Sequence, residues 1–449
     1  MFVQIKVLGV SLMKDKKEPK IRSSIVRDAL STFGTTLFGA VMGFVSSLVI
    51  TGILDPASKG YITQLQYVGT LLVTFLSMSV SSAVIYYTSR YGLKNVRKAL
   101  TTICIWIIVL IAVVGFASVF ILRDSYFADT PFLYSALAVV YGVFSFLSTI
   151  YTCVLRGENK FSAYNIITLI QRILTTVFAF SVFFWKTPMV IILSSILIMV
   201  AMIFMCIFAL RRGPEQEIPE ENDIVVGAGA IVKYSLKSHI SNILTYLNTY
   251  AANFIVKGYY KVAALGVYSF ASTLMEQVWL LPNAVSMVIM SRIAGMRVQE
   301  DKVKLTLMSC KIVTYITFIC AFLLTVVAQV FVPIIFPKYI AAVPALRILI
   351  VGSIFITYAK VLNNSIAAYG KPELNIIPTA IGVAFNIIFS FLLIPGLGIN
   401  GAALSTSVSL TAQGVTSIVI FCRFTQTPFY KLLFPSKEEI AIVKRVLKR

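Results

Sequence analysis

Acidic residues are scarce in this chain of 449 residues, where 18 Asp and Glu stand against 39 Lys and Arg and give a formal charge of +21. Histidine occurs once, as His239. Neither a His/Asp pair nor two carboxylates occur together inside an apolar segment, so a catalytic centre has no obvious position in this sequence. His239, at the start of a predicted helix, is interpreted as an interfacial polar residue and not as a ligand.

The six cysteines also lack a pattern that would give them a chemical role. No C-x-x-C spacing occurs, and none of the cysteines falls in a long external loop, so neither a metal site nor a disulfide framework is predicted. We expect them to be small buried apolar residues. They are Cys104, Cys153, Cys206, Cys310, Cys320 and Cys422.

Charged residues of both signs make up only 13% of the chain, whereas 58% is hydrophobic and the mean hydropathy is +0.88. Apolar stretches of about 20 residues, the length that crosses a bilayer, recur along the whole sequence. The chain is therefore predicted to be an all-α integral membrane protein with no soluble domain. Because membrane proteins concentrate Lys and Arg in cytoplasmic loops, the positive charge does not indicate a nucleic-acid partner.

Twelve membrane spans are predicted from these apolar stretches. They cover residues 29–52, 61–89, 99–122, 131–154, 163–185, 189–210, 232–256, 263–290, 308–333, 342–367, 373–394 and 400–421.

The basic residues predict the orientation of these spans. With the N-terminus inside, 27 of the 39 Lys and Arg fall on the cytoplasmic side and six on the outside. This asymmetry favours a multi-pass membrane protein with cytoplasmic N- and C-termini. No signal peptide is predicted, and either Met1 or Met13 could be the start.

The spans divide into two lobes of six. The segment 211–231 is acidic and contains Pro and Gly, as expected of a linker. Residues 59–90 resemble 265–292, and residues 155–161 resemble 368–374, which indicates a parallel repeat around a central cavity. The resulting units are a basic N-terminal tail, a first lobe, the linker, a second lobe and a basic amphipathic tail, at 1–28, 29–210, 211–231, 232–421 and 422–449.

The stretch GLGING at 396–401 fits the dinucleotide pattern G-x-G-x-x-G, but its surroundings do not. That fingerprint needs a preceding strand and an acidic residue about 20 positions later. Here a membrane span precedes it, and no acid follows until Glu438. We therefore predict a turn between two spans, in which Pro395 ends the first span and Gly401 allows close packing of the next.

The stretch GKPELNIIPTAIGVAFNIIFSFLLIPGLGINGAALSTSVS at 370–409 resembles the polysaccharide-exporter and oligosaccharide-flippase group of the multidrug/oligosaccharidyl-lipid/polysaccharide exporter superfamily. Residues 52–72 resemble that family's first external turn and second helix. The resemblance implies two pseudo-symmetric six-helix lobes around a cavity that opens alternately to either face. It further implies movement of a polyisoprenyl-pyrophosphate-linked O-antigen, capsule or exopolysaccharide unit from the inner to the outer leaflet. Membrane lipids, a polysaccharide polymerase and glycosyltransferases would be its partners.

Polar residues inside the spans indicate where such a cavity lies. Glu276 is the one acid in the middle of a span, and a charge there costs about 2.5–3.5 kcal/mol. Such residues normally face a bundle interior or a wet cavity. Glu276 could couple transport to H+ or Na+, or it could pair permanently with a neighbouring cation. No other cofactor is expected. Helical spacing adds cavity-lining candidates: Asn165, Ser241, Asn248, Ser272 and Asn283.

Three cations are candidate ligands of the anionic lipid carrier: Arg172, Lys237 and Arg347. Their structural alternatives are ion pairing between helices or snorkelling to the membrane interface. Snorkelling is the interpretation for Lys360, which lies near a cytoplasmic end. It is thirteen residues after Arg347, and thus about 140° around the helix, so the two cannot face one cleft.

Two other functions remain as alternatives. A multidrug or cation antiporter of the same superfamily would share the lobes and the cavity, although cavity cations favour anionic cargo. A membrane-embedded polysaccharide polymerase is disfavoured, because the external connectors are short and no catalytic constellation is evident.

Overall fold

The computed structural model describes residues 19–212, 224–280 and 298–433, together with residues 282, 283, 285, 286, 293 and 296. Within these helices, the side chains of residues 19–33, Lys237 and Leu433 are outside the description. The predicted amphipathic helix and most of the predicted acidic linker also lie outside the described residues.

The described part of the chain is helical and contains no strand, which confirms the all-α prediction. Short 3-10 turns occur at Phe180–Phe183, Pro337–Tyr339 and Pro372–Asn375. The α-helices are α1 Pro19–Ile53, α2 Pro56–Leu76, α3 Val80–Ile121, α4 Phe132–Gly157, α5 Phe161–Ala179, α6 Pro188–Arg211, α7 Ala228–Tyr259, α8 Val262–Gln277, α9 Gln299–Ile335, α10 Ala342–Ala368, α11 Ile376–Thr425 and α12 Tyr430–Leu433.

Eight helical segments among the described residues are long and apolar enough to cross a membrane. They correspond to α1, α3, α4, α5, α6, α9, α10 and α11. Helices α2, α7 and α8, which correspond to the predicted spans at 61–89 (in part), 232–256 and 263–290, are not among the eight. Helix α8 has only 16 residues, and α7 carries polar residues that face other helices. A multi-pass membrane protein is confirmed.

Helix α11 is a hairpin of two antiparallel arms, which meet at Gly398 with φ 58° and ψ −133°. Ser409 Oγ donates to the carbonyl of Gly382 at 2.7 Å, although 27 helical residues would span about 40 Å. The carbonyl of Leu393 lies 2.3 Å from where a Gly401 Cβ would be. The predicted turn in GLGING and the close packing at Gly401 are therefore confirmed.

The prediction that Pro395 ends the first arm is wrong by a few residues, since the helix continues to the turn at Gly398. The hydroxyl of Tyr260 donates to the carbonyls of Ile394 at 3.2 Å and Pro395 at 3.0 Å. Tyr260, which directly follows α7, thus contacts the end of the first arm, just before the turn at Gly398.

The predicted continuous span 61–89 is also wrong. Helix α2 ends at Leu76, and Met78 and Ser79 have positive φ before α3 begins. Asn242 on α7 donates from Nδ2 to Ser79 Oγ at 2.8 Å, which holds the break in place. A second bend at Gly92, with φ 73°, separates the first residues of α3 from its long apolar part.

The helices form two groups, each with its own internal packing, that contact each other along an interface. Helices α1 to α6 contact one another, as do α7 to α11. The groups meet mainly where α2 packs against α8 and α3 against α7. Large apolar side chains remain exposed on the outer helices, as expected of a surface that faces lipid. Trp106, Phe184 and Phe322 are 70%, 81% and 62% exposed.

Candidate functional site

The two groups of helices touch most closely at the N-terminal ends of α2 and α8, which the topology predicts to be external. A Cβ on Gly60 would lie 2.0 Å from the carbonyl oxygen of Val262, and one on Gly266 would lie 1.9 Å from that of Pro56. One turn further in, Thr63 Oγ1 donates to Ser269 Oγ at 3.1 Å. The helices can approach this closely because both contact residues are glycines.

An ion pair crosses the same end of the molecule. Lys257, near the end of α7, bonds through Nζ to Asp129 Oδ1 at 2.5 Å, and Asp129 lies in the loop between α3 and α4. Asp129 Oδ2 also accepts from the backbone N–H of Val262. Lys257 is 4% exposed, and its Nζ also donates to the carbonyl of Tyr126. We call these contacts of Asp129 with Lys257 and Val262 the external latch.

The pKa of the Asp129 carboxyl reflects two opposing effects. Partial burial raises this pKa, but the hydrogen bonds from Lys257 and Val262 outweigh burial and lower it from its ordinary value of 3.8. The ionised form is therefore the one that the fold stabilises.

Below the crossing of α2 and α8, two adjoining cavities lie between the helix groups. The N-side cavity has a volume of about 590 Å³ and is lined by α1, α2, α5, α6, α7 and α8. The C-side cavity has a volume of about 320 Å³ and is lined by α2, α7, α8, α10 and α11. Five residues line both cavities, and we call them the shared wall: Tyr67, Tyr250, Glu276, Trp279 and Asn283.

The N-side cavity contains two basic side chains, Lys59 and Arg172. Lys59 is 8% exposed, and its Nζ donates to Ser47 Oγ at 3.0 Å. The side chain of Arg172 packs against α1 at Gly39, where a Cβ would lie 3.1 Å from Nε. The external latch is the one ion pair found among the described side chains, so neither cation has a carboxylate partner there. Lys59 is buried and Arg172 is exposed, and a basic side chain without a carboxylate partner is free to attract an anion.

The C-side cavity is lined mainly by amides, hydroxyls and aromatic rings. Its one basic side chain is Lys360, whose Nζ donates to Asn283 Oδ1 at 2.9 Å and lies 4.6 Å from the centre of the Trp279 ring. Lys360 is thus held against the shared wall.

Glu276 is exposed to both cavities. It lies in the cavity where the sequence predicts it, on the face of α8 that also carries Ser269 and Ser272. No described cation lies within ion-pair distance of its carboxylate. A permanent ion pair, the structural alternative for this residue, is therefore not observed among the described side chains.

The three predicted cavity cations have different positions. Arg172 lines the N-side cavity. Arg347 is exposed near the start of α10 and is not among the residues that line either cavity. The side chain of Lys237 lies outside the described residues. Lys360 lines the C-side cavity while Arg347 does not, as their angular separation on α10 requires, so the prediction that Lys360 snorkels is wrong.

Some of the predicted polar residues line a cavity and others do not. Asn248, Ser272 and Asn283 line the C-side cavity. Ser241 is exposed on α7 and is not among the residues that line either cavity, and Asn165 is 6% exposed and packed inside the first helix group. Asn165 is misplaced by the sequence argument because this part of α5 packs with α4 and α6, next to Ile167.

Several lining residues were missed. Lys59 is one of the six basic residues that the predicted topology assigns to the outside, although its spacing from Thr63 and Tyr67 places the three on one helical stripe. The set Lys360, Asn363 and Asn364 also has the i, i+3, i+4 spacing of one helix face. In both cases, polar residues spaced along one face of an otherwise apolar helix are the sequence signal that indicates a cavity-lining face.

Comparison with known proteins identifies the family of this chain. Residues 49–344, more than half of the chain, match a family profile described as polysaccharide biosynthesis protein. The chain belongs to this family. A stretch of 103 residues, 23% of this polysaccharide biosynthesis protein, is 38% identical to an uncharacterized membrane protein of Methanocaldococcus jannaschii, and it spans 20% of that relative's length.

Solved structures that are similar to this chain include transporters. The lipid II flippase MurJ in an inward closed conformation has a TM-score of 0.70 at 16% identity, covering 89% of this chain and 88% of that chain. An inward-facing multidrug resistance transporter of the MATE family and MOP superfamily has a TM-score of 0.68 at 15% identity, covering 89% and 98%. A MOP superfamily transporter from Pyrococcus furiosus has a TM-score of 0.59 at 14% identity, covering 92% and 99%. The polysaccharide biosynthesis protein therefore shares its fold with membrane transporters and flippases.

Proposed function

We propose that this protein is a flippase for a polyisoprenyl-pyrophosphate-linked saccharide, which it carries between the leaflets of the membrane by alternating access. The observation that supports this most directly is the pair of cations without carboxylate partners, Lys59 and Arg172, in a cavity between the two helix groups. Arg forms paired hydrogen bonds to phosphate oxygens, and Lys adds a compact positive charge. Family membership and the fold of MurJ support the same cargo class.

In this proposal the headgroup enters the N-side cavity while the lipid tail stays in the bilayer. The external latch and the crossing at Gly60 and Gly266 hold the cavities closed at one end. Opening of these contacts, together with closure at the opposite end, would present the headgroup to the other leaflet. Glu276, accessible from both cavities, is the candidate site for coupling to H+ or Na+.

The saccharide class, the partner enzymes and the location in the cell are parts of the same proposal. O-antigen, capsule and exopolysaccharide units all have the required pyrophosphate linkage, and a polymerase and glycosyltransferases would act after and before translocation. The bacterial inner membrane with both termini in the cytoplasm is the proposed location, on the charge asymmetry of the connectors.

The test is reconstitution into liposomes with undecaprenyl-pyrophosphate-linked N-acetylglucosamine, followed by enzymatic detection of the sugar that appears on the opposite leaflet. We expect Lys59→Gln with Arg172→Gln to reduce the translocation rate by at least tenfold. Arg347→Gln is the matched control, since Arg347 lines neither cavity, and it should leave the rate unchanged. Translocation by the wild type no faster than in empty liposomes would contradict the proposal.

A second candidate function is export of organic cations, as in a multidrug antiporter. The carboxylate of Glu276 in the cavity wall and the likeness to MATE structures favour it. Liposomes with an imposed proton gradient and the fluorescent cation ethidium distinguish the two candidates. Ethidium transport abolished by Glu276→Gln, without saccharide-lipid translocation, would support the antiporter instead.

A further inference from the structure

The C-side cavity has a different chemistry from the N-side cavity, although the two share a wall. Six primary amides line it, and Lys360 is its one basic residue. Neutral donors and acceptors of this kind match a neutral ligand with many hydroxyl groups better than a phosphate. The amides belong to Asn248, Asn253, Asn283, Asn363, Asn364 and Gln413.

Part of this amide set is fixed by hydrogen bonds within the protein. Asn248 Nδ2 donates to Gln413 Oε1 at 2.9 Å, and Gln413 Nε2 donates to Thr379 Oγ1 at 3.3 Å. Asn248 Oδ1 accepts from Ser409 Oγ at 3.0 Å. The polar lining is thus oriented before any ligand arrives, which reduces the entropy lost on binding.

Two polar atoms in the same cavity have no partner within the described structure. Asn253 Oδ1, on a side chain 3% exposed, accepts no hydrogen bond, and Trp279 Nε1–H donates none. Both atoms are enclosed by protein, but their residues line the cavity, so a ligand that reorients these side chains could supply the missing partners. A sugar hydroxyl can donate to one and accept from the other.

Aromatic rings complete the cavity. The rings of Tyr67 and Tyr250 lie 4.6 Å apart between centres, and Trp279 and Tyr268 add two more lining rings. A pyranose ring has an apolar face of C–H groups, and an aromatic ring offers a flat apolar surface for it, while the sugar hydroxyls reach the surrounding amides. Amides and rings together are suited to a saccharide.

The basic residues around the shared wall favour one orientation of such a ligand. Glu276 lines both cavities, so its charge does not distinguish them. Lys59 and Arg172 line the N-side cavity, whereas Lys360 is the one basic residue of the C-side cavity and already bonds to Asn283. The pyrophosphate of a headgroup that spans both cavities is therefore favoured on the N side.

We propose that the C-side cavity is a saccharide-binding compartment, which holds the first sugars of the cargo while the N-side cavity holds its pyrophosphate. This assignment rests on the proposed function. It divides the recognition of one headgroup between the two helix groups, so that sugar binding requires both groups to be correctly placed around the shared wall.

The experiment compares two ligands that differ only in the sugar. Undecaprenyl pyrophosphate and undecaprenyl-pyrophosphate-linked N-acetylglucosamine are titrated into the purified full-length protein in nanodiscs. In Asn364→Ala, which removes a cavity-lining amide that makes no side-chain hydrogen bond within the described structure, we expect about tenfold weaker binding of the glycosylated lipid and unchanged binding of the bare lipid. Asn253→Leu should act in the same way, and Arg172→Gln should weaken both ligands.

Ser241→Ala is the matched control for Asn253→Leu, since Ser241 is a polar residue of α7 outside both cavities, and it should change neither affinity. The melting temperature of each variant reports on folding, and Asn364→Ala decides the question if Asn253→Leu unfolds. Equal weakening of both lipids, or no weakening of either, by Asn364→Ala would overturn the saccharide compartment while leaving the flippase proposal intact. A wild-type protein that binds neither lipid would overturn both.

Discussion

At the scale of single residues, the environment of each charge decides its role more than its position along a span. Lys59, Arg172 and Lys360 are all basic, yet the first two have no carboxylate partner among the described side chains, and the third is held by Asn283 and Trp279. Lys59 is a buried charge, which is costly unless it is paired, whereas Arg172 is exposed and lines the same cavity. In the proposed function, these two residues are the ones expected to recognise the anion.

Glu276 carries the residue-scale prediction about energy coupling. In Glu276→Gln, which retains size but cannot ionise, we expect saccharide-lipid translocation in proteoliposomes to lose its dependence on an imposed proton or sodium gradient. The physical reason is that a carboxylate exposed to both cavities can exchange a cation in each state of the cycle. Initial rates with and without the gradient provide the measurement.

Glu300→Gln is the control for this variant, because Glu300 is exposed in the first turn of α9 and far from either lining set. Gradient-dependent translocation at the wild-type level in Glu276→Gln would exclude Glu276 as the coupling site.

At the scale of elements, small residues determine how closely helices approach. Gly60 and Gly266 each face a backbone carbonyl of the other helix, and Gly401 faces the first arm of α11. Gly60 and Gly266 are 206 residues apart, which is also the offset between the similar segments that begin at residues 59 and 265. The two contacts are therefore equivalent in the two halves, and the crossing is nearly two-fold symmetric. A symmetric glycine contact lets α2 and α8 close one end of the cavities without intervening side chains.

Gly60→Ala and Gly266→Ala test this contact. The added methyl would lie 2.0 Å or 1.9 Å from a carbonyl oxygen, so the two helices must separate, at a cost of about 1–3 kcal/mol or more in the free energy of unfolding. We expect a lower melting temperature in detergent for both variants. Gly258→Ala, in the same region with nothing within 4 Å, should be neutral or slightly stabilising, and equal effects at all three positions would argue against the close contact.

At the scale of the whole molecule, the two helix groups are joined by few polar contacts at the predicted external end, and the latch of Asp129 is the only described ion pair among them. Its partner Lys257 is almost fully buried. Because a charge left without its partner is costly, the latch stabilises the closed arrangement of the two groups relative to one that is open at this end.

Asp129→Asn should shift the protein toward opening at this end, with a loss of about 1.5–3 kcal/mol, the typical contribution of a hydrogen bond to a charged group. The measurement is labelling of Thr63→Cys, in a background without the native cysteines, by a membrane-impermeant maleimide added outside. Asp124→Asn, an exposed carboxylate of the same loop, is the control and should not increase labelling.

The pH dependence of the latch follows from the lowered pKa of Asp129. The stabilisation is fully present above the ordinary pKa of 3.8 and is lost as pH falls through the still lower pKa of the folded state. Labelling of Thr63→Cys should therefore stay constant from neutral to mildly acidic pH. An increase near pH 6 would show that another group controls this end.

The sequence by itself determined that this is an all-α membrane protein, and it placed the turn in GLGING and Glu276 in a cavity. These features depend on local apolar content, glycine spacing and the cost of a charge in lipid, all of which can be evaluated from neighbouring residues in the sequence. The tertiary structure decided which face of each helix meets the cavity. It placed Lys59 and Lys360 inside, left Arg347 and Asn165 out of the lining, and broke the span at Ser79, because those outcomes depend on which helices pack against which face.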